Sequence, residues 1–368
     1  MFSFGIEHEA AFLNRRGQFV DFRSTLFAEL EAIVAQLPLY EGDYPQLRVG
    51  DARIKHKRWY VEGFERYDET GVVIDCPPKG IEIRTTIHTS IQGAVQELTE
   101  SFQLLAEAAA CAGFVPALIS FHPYCTEFVP DPPLNNYERQ RKQQSPEKQT
   151  AVIPILTQGP DLNLSCEGMT TDEVIDAGRK LTSYSPYIVP FSFSSPFYAG
   201  ELWDGLSVRT FVRTGVRPSA LVFLARSEEL MVSNPSLTKI ARIPAEAGRI
   251  EFKACDSCAD FTLYAALLAL LKGLILDSTL VQRATVPDAA LHQLSARHGF
   301  AHPEIAAGAR AVLRAVECAL EGDEDRTLLA PLHAMLSQRT TPAHELIRLY
   351  RETGSIETTA RLAYTSQR

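Results

Sequence analysis

The sequence predicts an α+β protein: an antiparallel β-sheet packed on helices, with a helical C-terminal part. Three observations lead there. Strand-like segments occur in separate places without regular βαβ alternation, which disfavours a doubly wound sheet. No Gly-x-Gly-x-x-Gly or Gly-x4-Gly-Lys-Ser/Thr motif follows a strand, so a bound nucleotide would not sit on a Rossmann turn or a P-loop. From Asp288 onward the pattern reads as helices with short breaks.

The elements follow from periodicity. Phe2 to Leu13 reads as a strand, and residues 23–37 as a helix with Leu26, Leu30, Ile33 and Val34 on its apolar side. Residues 38–80 are irregular, charged and aromatic, with room for short strands. Lys79 to Ile87 alternates as a strand, and Ser90 to Ala112 repeats at helical spacing until Gly113 stops it. Val115 to Phe121 is an apolar strand, and Asp131 to Thr150 a polar stretch long enough to be a functional loop. Asp161 to Ser165 is a strand, and Thr171 to Ser183 a helix with Asp172 and Glu173 in its first turn. Ile250 to Ala254 is a strand, and Phe261 to Leu280 a buried helix that contains Lys272 and is too short for a comfortable membrane span. Residues 1–285 form one chemistry-bearing domain, with the helical region 286–368 packed on it.

With 45% hydrophobic and 22% charged residues in 368, the chain has the composition of a globular protein with a sizeable core. A formal net charge of −9 argues against a general nucleic-acid binder, while leaving room for a local cationic pocket. Seven scattered cysteines point to reduced thiols and a cytoplasmic setting. The Cys255-Asp256-Ser257-Cys258 spacing lacks the helix start or second cysteine pair that a redox or zinc site needs. Met1 to Gly5 has no basic segment followed by a long apolar run, so no signal peptide is expected.

The informative pattern lies in where the acids fall within strands, whose side chains alternate between faces. Glu7 and Glu9 share a face, as do Glu82 and Arg84 opposite Ile81 and Ile83. Asp161, Asn163 and Ser165 oppose two leucines, and Glu251 and Lys253 oppose apolar neighbours. In one sheet, these segments would make an apolar side for helices and an acidic floor. Clustered carboxylates repel unless cations intervene, and hard oxygen ligands suit magnesium or manganese rather than zinc. Taken singly, each acid also reads as a solvated surface residue; the recurrence in four segments favours the floor.

Further along, Arg209 and Arg213 stand four residues apart among small and hydroxyl residues, and guanidinium groups pair with carboxylates and phosphates. The surface-loop reading of that stretch stays open. Arg53, Lys55, His56, Lys57 and Arg58, before Trp59-Tyr60, read as a solvated charged segment, and His122 as a structural histidine.

At these residues the sequence resembles the glutamate–cysteine ligases, especially the branch with the plant enzymes and the bacterial carboxylate–amine ligases. Gly5-Ile6-Glu7-His8-Glu9 looks like the family's opening acidic strand, and Gly80-Ile81-Glu82-Ile83-Arg84 like its next. Asn163-Leu164, Arg179, Pro186, Pro190-Phe191, Ser195-Pro196-Phe197, Gly200, Gly205, Ser207 and Arg209 follow the middle block in order. Arg249-Ile250-Glu251-Phe252-Lys253, with Asp256 after it, resembles the last acidic strand, and Pro342 to Ser355 also looks related.

The resemblance implies a fold like that of glutamine synthetase and the guanidino kinases, an antiparallel funnel with metals and ATP at its floor. It implies an ATP- and magnesium-dependent enzyme (manganese being an alternative) that joins a carboxylate to an amine through an acyl phosphate, most simply glutamate to cysteine in glutathione biosynthesis. By position Glu7, Glu9, Glu82, Asp161 and Glu251 would hold metal, and Arg84, Asn163 and Ser207 would contact ATP. Arg209, Arg213 and Lys253 would be catalytic, and Asn135 to Gln149 could close over the site. Asp161 stands where relatives often carry His or Gln, and Lys253 replaces an Arg, keeping the charge but losing the fork. The partners expected are small molecules, with no nucleic acid or membrane, and a homodimer is compatible. Three other readings stay open: a ligase for another acid or amine, a guanidino-type kinase, and a non-catalytic relative.

Overall fold

The alternation seen at the N-terminus is what builds the core. In β1 (Phe2–Leu13), Phe4, Ile6, His8, Ala10 and Phe12 are buried, while Ser3, Gly5, Glu7 and Glu9 keep partial exposure. This is seen in a computed structural model that describes residues 1–43, 45–47 and 58–365. The other strands are β2 (Trp59–Gly63), β3 (Arg66–Tyr67), β4 (Val73–Asp75), β5 (Pro78–Arg84), β6 (Val115–Ala117), β7 (Asp161–Cys166), β8 (Phe197–Tyr198), β9 (Glu201–Leu202), β10 (Ala220–Leu224), β11 (Thr238–Ile240) and β12 (Ile250–Phe252).

Eight of the strands make one sheet in the order β11-β10-β12-β7-β1-β5-β2, with β6 also on β1. Every pairing in it is antiparallel except β10 with β11, which is parallel, so the sheet is mixed where an antiparallel one was expected. The Arg66–Tyr67 strand pairs with Val73–Asp75, and Phe197–Tyr198 with Glu201–Leu202, as separate two-stranded ribbons.

Register decides which residues share a face, because directly paired residues point the same way. Glu7 pairs with Arg84 on one side and Asp161 on the other; Glu9 pairs with Glu82, Glu82 with Tyr60, and Glu251 with Asn163. The opposite face carries Ile6 with Leu162, His8 with Ile83, and Ile81 with Val61.

The helices are α1 (Phe27–Val34), α2 (Ile91–Ala112), α3 (Asn136–Lys142), α4 (Pro146–Gln149), α5 (Thr171–Ile188), α6 (Val208–Arg213), α7 (Thr262–Leu276), α8 (Ala289–His298), α9 (Pro303–Ala319), α10 (Ala330–Gln338), α11 (Pro342–Thr353) and α12 (Ile356–Thr365). The apolar face of the sheet packs on α1, α2, α5 and α7, and α9 packs on α5 and α7. The α7 helix is buried almost throughout, Leu267, Leu268, Leu270 and Leu271 being fully so. Among the described residues no helix is long and apolar enough to cross a membrane, and no two cysteines are bonded. Burial pushes the Cys255 thiol up to about 12, which leaves it inert at neutral pH.

Boundaries shift for local reasons. The first helix starts at Phe27, not at residue 23, because Asp21 Oδ1 accepts the N–H groups of Arg23 and Ser24 in a turn, and Glu29 reaches back to the Leu26 N–H. The strand after Gly113 stops at Ala117, since the Leu118 N–H donates to Ala360 O of α12. The polar stretch 131–150 holds two short helices, capped by Asn135 and Ser145, and Glu138 of α3 is tied to Arg66 by two hydrogen bonds. The α5 helix runs on to Ile188 with Pro186 inside it. The buried helix ends at Leu276, where Asp277 accepts from the N–H groups of Thr279 and Leu280 and pairs with buried Lys180.

Buried histidines, His8 and His292 among them, make the fold acid-sensitive. Desolvation lowers His8 from 6.5 to about 3 and His292 to about 4, so the unfolded chain binds protons that the folded chain does not. The stability they lend is complete above pH 6.5 and is lost as pH falls toward those lower values. His292, bonded to Ser185 Oγ and Asp288 O, would cost about 2 kcal/mol at pH 5. The urea midpoint is expected to fall between pH 7 and pH 5, and His292→Gln should flatten that fall by about this amount; an unchanged pH slope in the variant would exclude the assignment.

Candidate active site

The polar face of the sheet floors a cavity of about 260 Å³ lined by eight carboxylates and eight cationic side chains. Six of the acids rise from the strands: Glu7 and Glu9 from β1, Glu62 from β2, Glu82 from β5, Asp161 from β7 and Glu251 from β12. They fall into two groups, Glu7–Asp161–Glu251 and Glu9–Glu62–Glu82, and within each group one oxygen per residue lies within 4.8 Å of the others.

Cations hold the floor together. The Lys253 ammonium donates to Asp161 Oδ2 and, at 2.5 Å, to Glu251 Oε1. Arg249 stands 3.0 Å from Glu251 and 3.6 Å from Glu7. Lys79, almost wholly buried, donates to Glu9 Oε1 at 2.6 Å and to Thr157 O at 2.8 Å. The second oxygen of Glu9 accepts the Gly159 N–H at 2.8 Å. Burial pushes Asp161 up to about 7, with Glu251 and Glu7 adding to the rise and Lys253 opposing it. Burial also acts to raise Glu251, but Lys253 and Arg249 overcome it and hold the carboxyl near about 2. Lys253 itself is raised, the attraction of Asp161 and Glu251 outweighing its burial.

The opposite wall is guanidinium. Helix α6 carries Arg209 and Arg213 one turn apart, and the chain turns on so that Arg217 follows, its N–H bonded to Arg213 O at 3.0 Å. Arg209 is spread over backbone carbonyls, Nη1 to Ala254 O at 2.9 Å and Nη2 to Lys253 O at 3.0 Å, while its Nε is buried with no partner among the described residues. Arg213 also donates to Lys253 O. Desolvation and the neighbouring Arg209 and Arg217 push the Arg213 proton affinity well down, the sign of cations crowded without enough anion. Gly159 allows this packing, since a Cβ there would lie 2.2 Å from Arg209 Nη2.

Of the residues expected at the site, Glu7, Glu9, Glu82, Arg84, Asp161, Arg209, Arg213, Glu251 and Lys253 line the cavity. Asn163 lines a smaller hollow beside it with Gly5, Thr85 and Arg249. Ser207 lies elsewhere: its hydroxyl caps α6 by accepting the Thr210 N–H and donates to Asp256 Oδ1. Asp256 is a hub rather than a ligand, fully buried and also bonded to the Ser194 N–H and Ser195 Oγ, and burial raises its proton affinity. The Ser194–Ser195–Ser207 block thus anchors the start of the arginine helix.

Sequence reasoning missed Lys79, Glu62, Arg217, Arg249 and Lys239, all on the cavity wall. Arg249 alternates in phase with Glu251 and Lys253, and Arg217 continues the four-residue spacing of the arginines, so both carried a signal. Lys79 alternates with Ile81 and Ile83 and carried none. Arg53, Lys55, His56 and Lys57 of the basic run lie outside the described residues.

The donor set fits a hard divalent cation. Each group offers only carboxylate oxygens, as magnesium and manganese prefer, beside a wall of arginines suited to phosphate oxygens. A third cluster, Asp21–His122–Cys125, does not fit a metal: His122 Nδ1 accepts the N–H groups of Tyr124 and Cys125, which leaves the ring proton on the Nε2 that faces Asp21.

No protein-family model matches the sequence, and no curated protein does. Solved structures do. A bifunctional glutathione synthetase from Pasteurella multocida superposes with a TM-score of 0.59 at 13% identity, over 100% of this chain and 52% of that one. The complex between the prokaryotic ubiquitin-like protein Pup and its ligase PafA gives 0.52 at 10% identity, over 98% of this chain and 72% of that one. What is shared is the fold. The chain spans about half the length of the glutathione synthetase it matches.

The internal cations can be tested against external ones. Lys253→Met removes the ammonium that lies against Asp161 and Glu251, leaving Glu251 to Arg249 and Asp161 without that partner, and should destabilise the protein by about 3 kcal/mol. Magnesium or manganese, but not potassium, should restore part of the melting temperature, and EDTA should remove the gain. A melting temperature indifferent to divalent ions would deny the floor a metal-binding role.

Proposed function

We propose that the chain is an ATP-dependent ligase that joins a carboxylate to an amine, with glutamate and cysteine as the substrates the family resemblance names. The supporting observation is the convergence, in one cavity, of two three-carboxylate groups facing three arginines. The fold shared with a glutathione synthetase and with the Pup ligase PafA agrees with that reading. Every lining residue of the cavity falls within residues 1–285. Unbonded cysteines fit a cytoplasmic setting.

In this reading Glu7, Asp161 and Glu251 hold one divalent ion, and Glu9, Glu62 and Glu82 another. Bound magnesium and ATP would supply a charge-neutralised γ-phosphoryl group that turns a carboxylate into an acyl phosphate an amine can displace. The protein's part is placement and electrostatics. Arg209 and Arg213, pinned through Lys253 O and Ala254 O, present fixed positive charge to a transferring phosphoryl group without reorganising. Lys253 would release its carboxylates to the metal and turn toward the substrate acid, a switch open to a lysine on a flexible stem. Arg84, stacked 4.7 Å over the Tyr60 ring, is oriented to meet a phosphate or the substrate's carboxylate.

Glu7→Gln is the cleanest test, because both oxygens of Glu9 already accept hydrogen bonds, whereas Arg249 stands 3.6 Å from Glu7. The variant should keep the wild-type melting temperature and lose at least about 100-fold in magnesium-dependent ADP release with glutamate and cysteine. Undiminished ADP release would sink the assignment.

A further inference from the structure

Behind the arginine wall lies a small hollow of about 20 Å³, bounded by α6, the chain that enters β10 and the start of α8. It shares Arg213 and Arg217 with the acid-lined cavity and nothing else. These two are its cationic lining residues, and no carboxylate is among the described residues that line it.

Its polar lining can give more than it can take. Thr210 is buried, and its Oγ1 has no hydrogen-bond partner among the described residues. The buried Nε of Arg217 also has none among them. Arg213 is buried too, and donates through Nη2 to Lys253 O. Acceptors on four lining residues are already taken. Thr210 O accepts the Thr214 hydroxyl, Ser219 O the Lys253 N–H at 2.8 Å, and Ala254 O the Arg209 Nη1 at 2.9 Å. His292 spends Nδ1 on Asp288 O, and its Nε2 faces Ser185 Oγ at 3.1 Å.

We propose that this hollow binds a monovalent anion the size of chloride, held by the Thr210 hydroxyl and the guanidinium groups of Arg213 and Arg217. The site stands apart from the ligase reading and does not need it. Size selects the guest first. A cavity needs roughly 10–15 Å³ to hold one water-sized sphere, so this one admits a single small occupant and excludes phosphate, sulfate or an organic acid. Hydrogen bonding selects next. A water gives two protons as well as taking them, and the acceptors around it are engaged, whereas an anion only accepts. A buried hydroxyl without a partner is costly, and this guest would supply one. Charge agrees. Desolvation and the neighbouring Arg209 and Arg217 push the Arg213 proton affinity down, while Asp161 and Glu9 oppose that fall from the acid-lined cavity. An anion in the hollow would oppose it from behind, as a fixed counter-charge that leaves the other side of the wall to the first cavity.

Thermal melting of the full chain in chloride, bromide and gluconate at one ionic strength reads the site, because gluconate is too large to enter it. Chloride and bromide should raise the melting temperature along a saturating curve that gluconate does not produce. Thr210→Val should weaken the apparent chloride affinity by about tenfold, the loss expected for one hydrogen bond to a charged group. Thr210→Ser keeps the hydroxyl and should keep the affinity. Thr210 does not line the first cavity, so chloride bound on that side of the wall would ignore both changes. Bromide-soaked crystals of the unmodified protein should show an anomalous peak between Thr210 and Arg213, a readout that needs no variant to fold. A melting temperature that does not respond to halide, a response undiminished in Thr210→Val, or soaked crystals without a peak in the hollow would overturn the proposal.

Discussion

Carboxylates gathered away from water repel one another, and in this protein the repulsion is met from within the sheet. Lys253 lies between Asp161 and Glu251, Arg249 beside Glu251 and Glu7, and Lys79 against Glu9. Without them the floor would have to protonate or open. With them it stays formed, Glu251 ionised and Asp161 poised near neutrality, and the same geometry is ready for a cation of higher charge. The β-register makes this possible: Glu7 opposite Asp161 and Glu9 opposite Glu82 are neighbours because β1 sits between β5 and β7.

The other face of the same strands explains why the floor is rigid. Ile6, His8, Ile81, Ile83, Leu162 and Phe252 are buried against α2, α5 and α7, so a shift of any acid would disturb packing on the far side. The arginine wall is fixed by different means. Its helix is short, and it is held at its start by Ser207 and the Asp256 hub, and along its length by carbonyls around Lys253.

The acids were legible because strand alternation is a strict period of two, and Glu7, Glu9, Glu82 and Glu251 each sit among apolar partners in phase. Which strands neighbour one another was not legible from alternation, and neither was Lys79, which reaches the cavity out of phase with Glu82 and Arg84. Ser207 misled because a hydroxyl at a helix start looks the same whether it caps the helix or greets a ligand. The Val115 strand fell short because its continuation was claimed by α12, a contact between residues far apart in the chain. The two helices inside 131–150 did carry local signals, Asn135 with Glu138 and Ser145 with Pro146, that a polar composition masked.

His8 stands between Glu7 and Glu9 on the buried side, with Nδ1 on the Tyr264 hydroxyl and Nε2 on the Tyr364 hydroxyl. The strand bearing the first two acids therefore leans on a tyrosine made 356 residues later. Contacts so distant along the chain carry a large loop-closure cost, so the back of the first acidic strand is sealed only once α12 has docked.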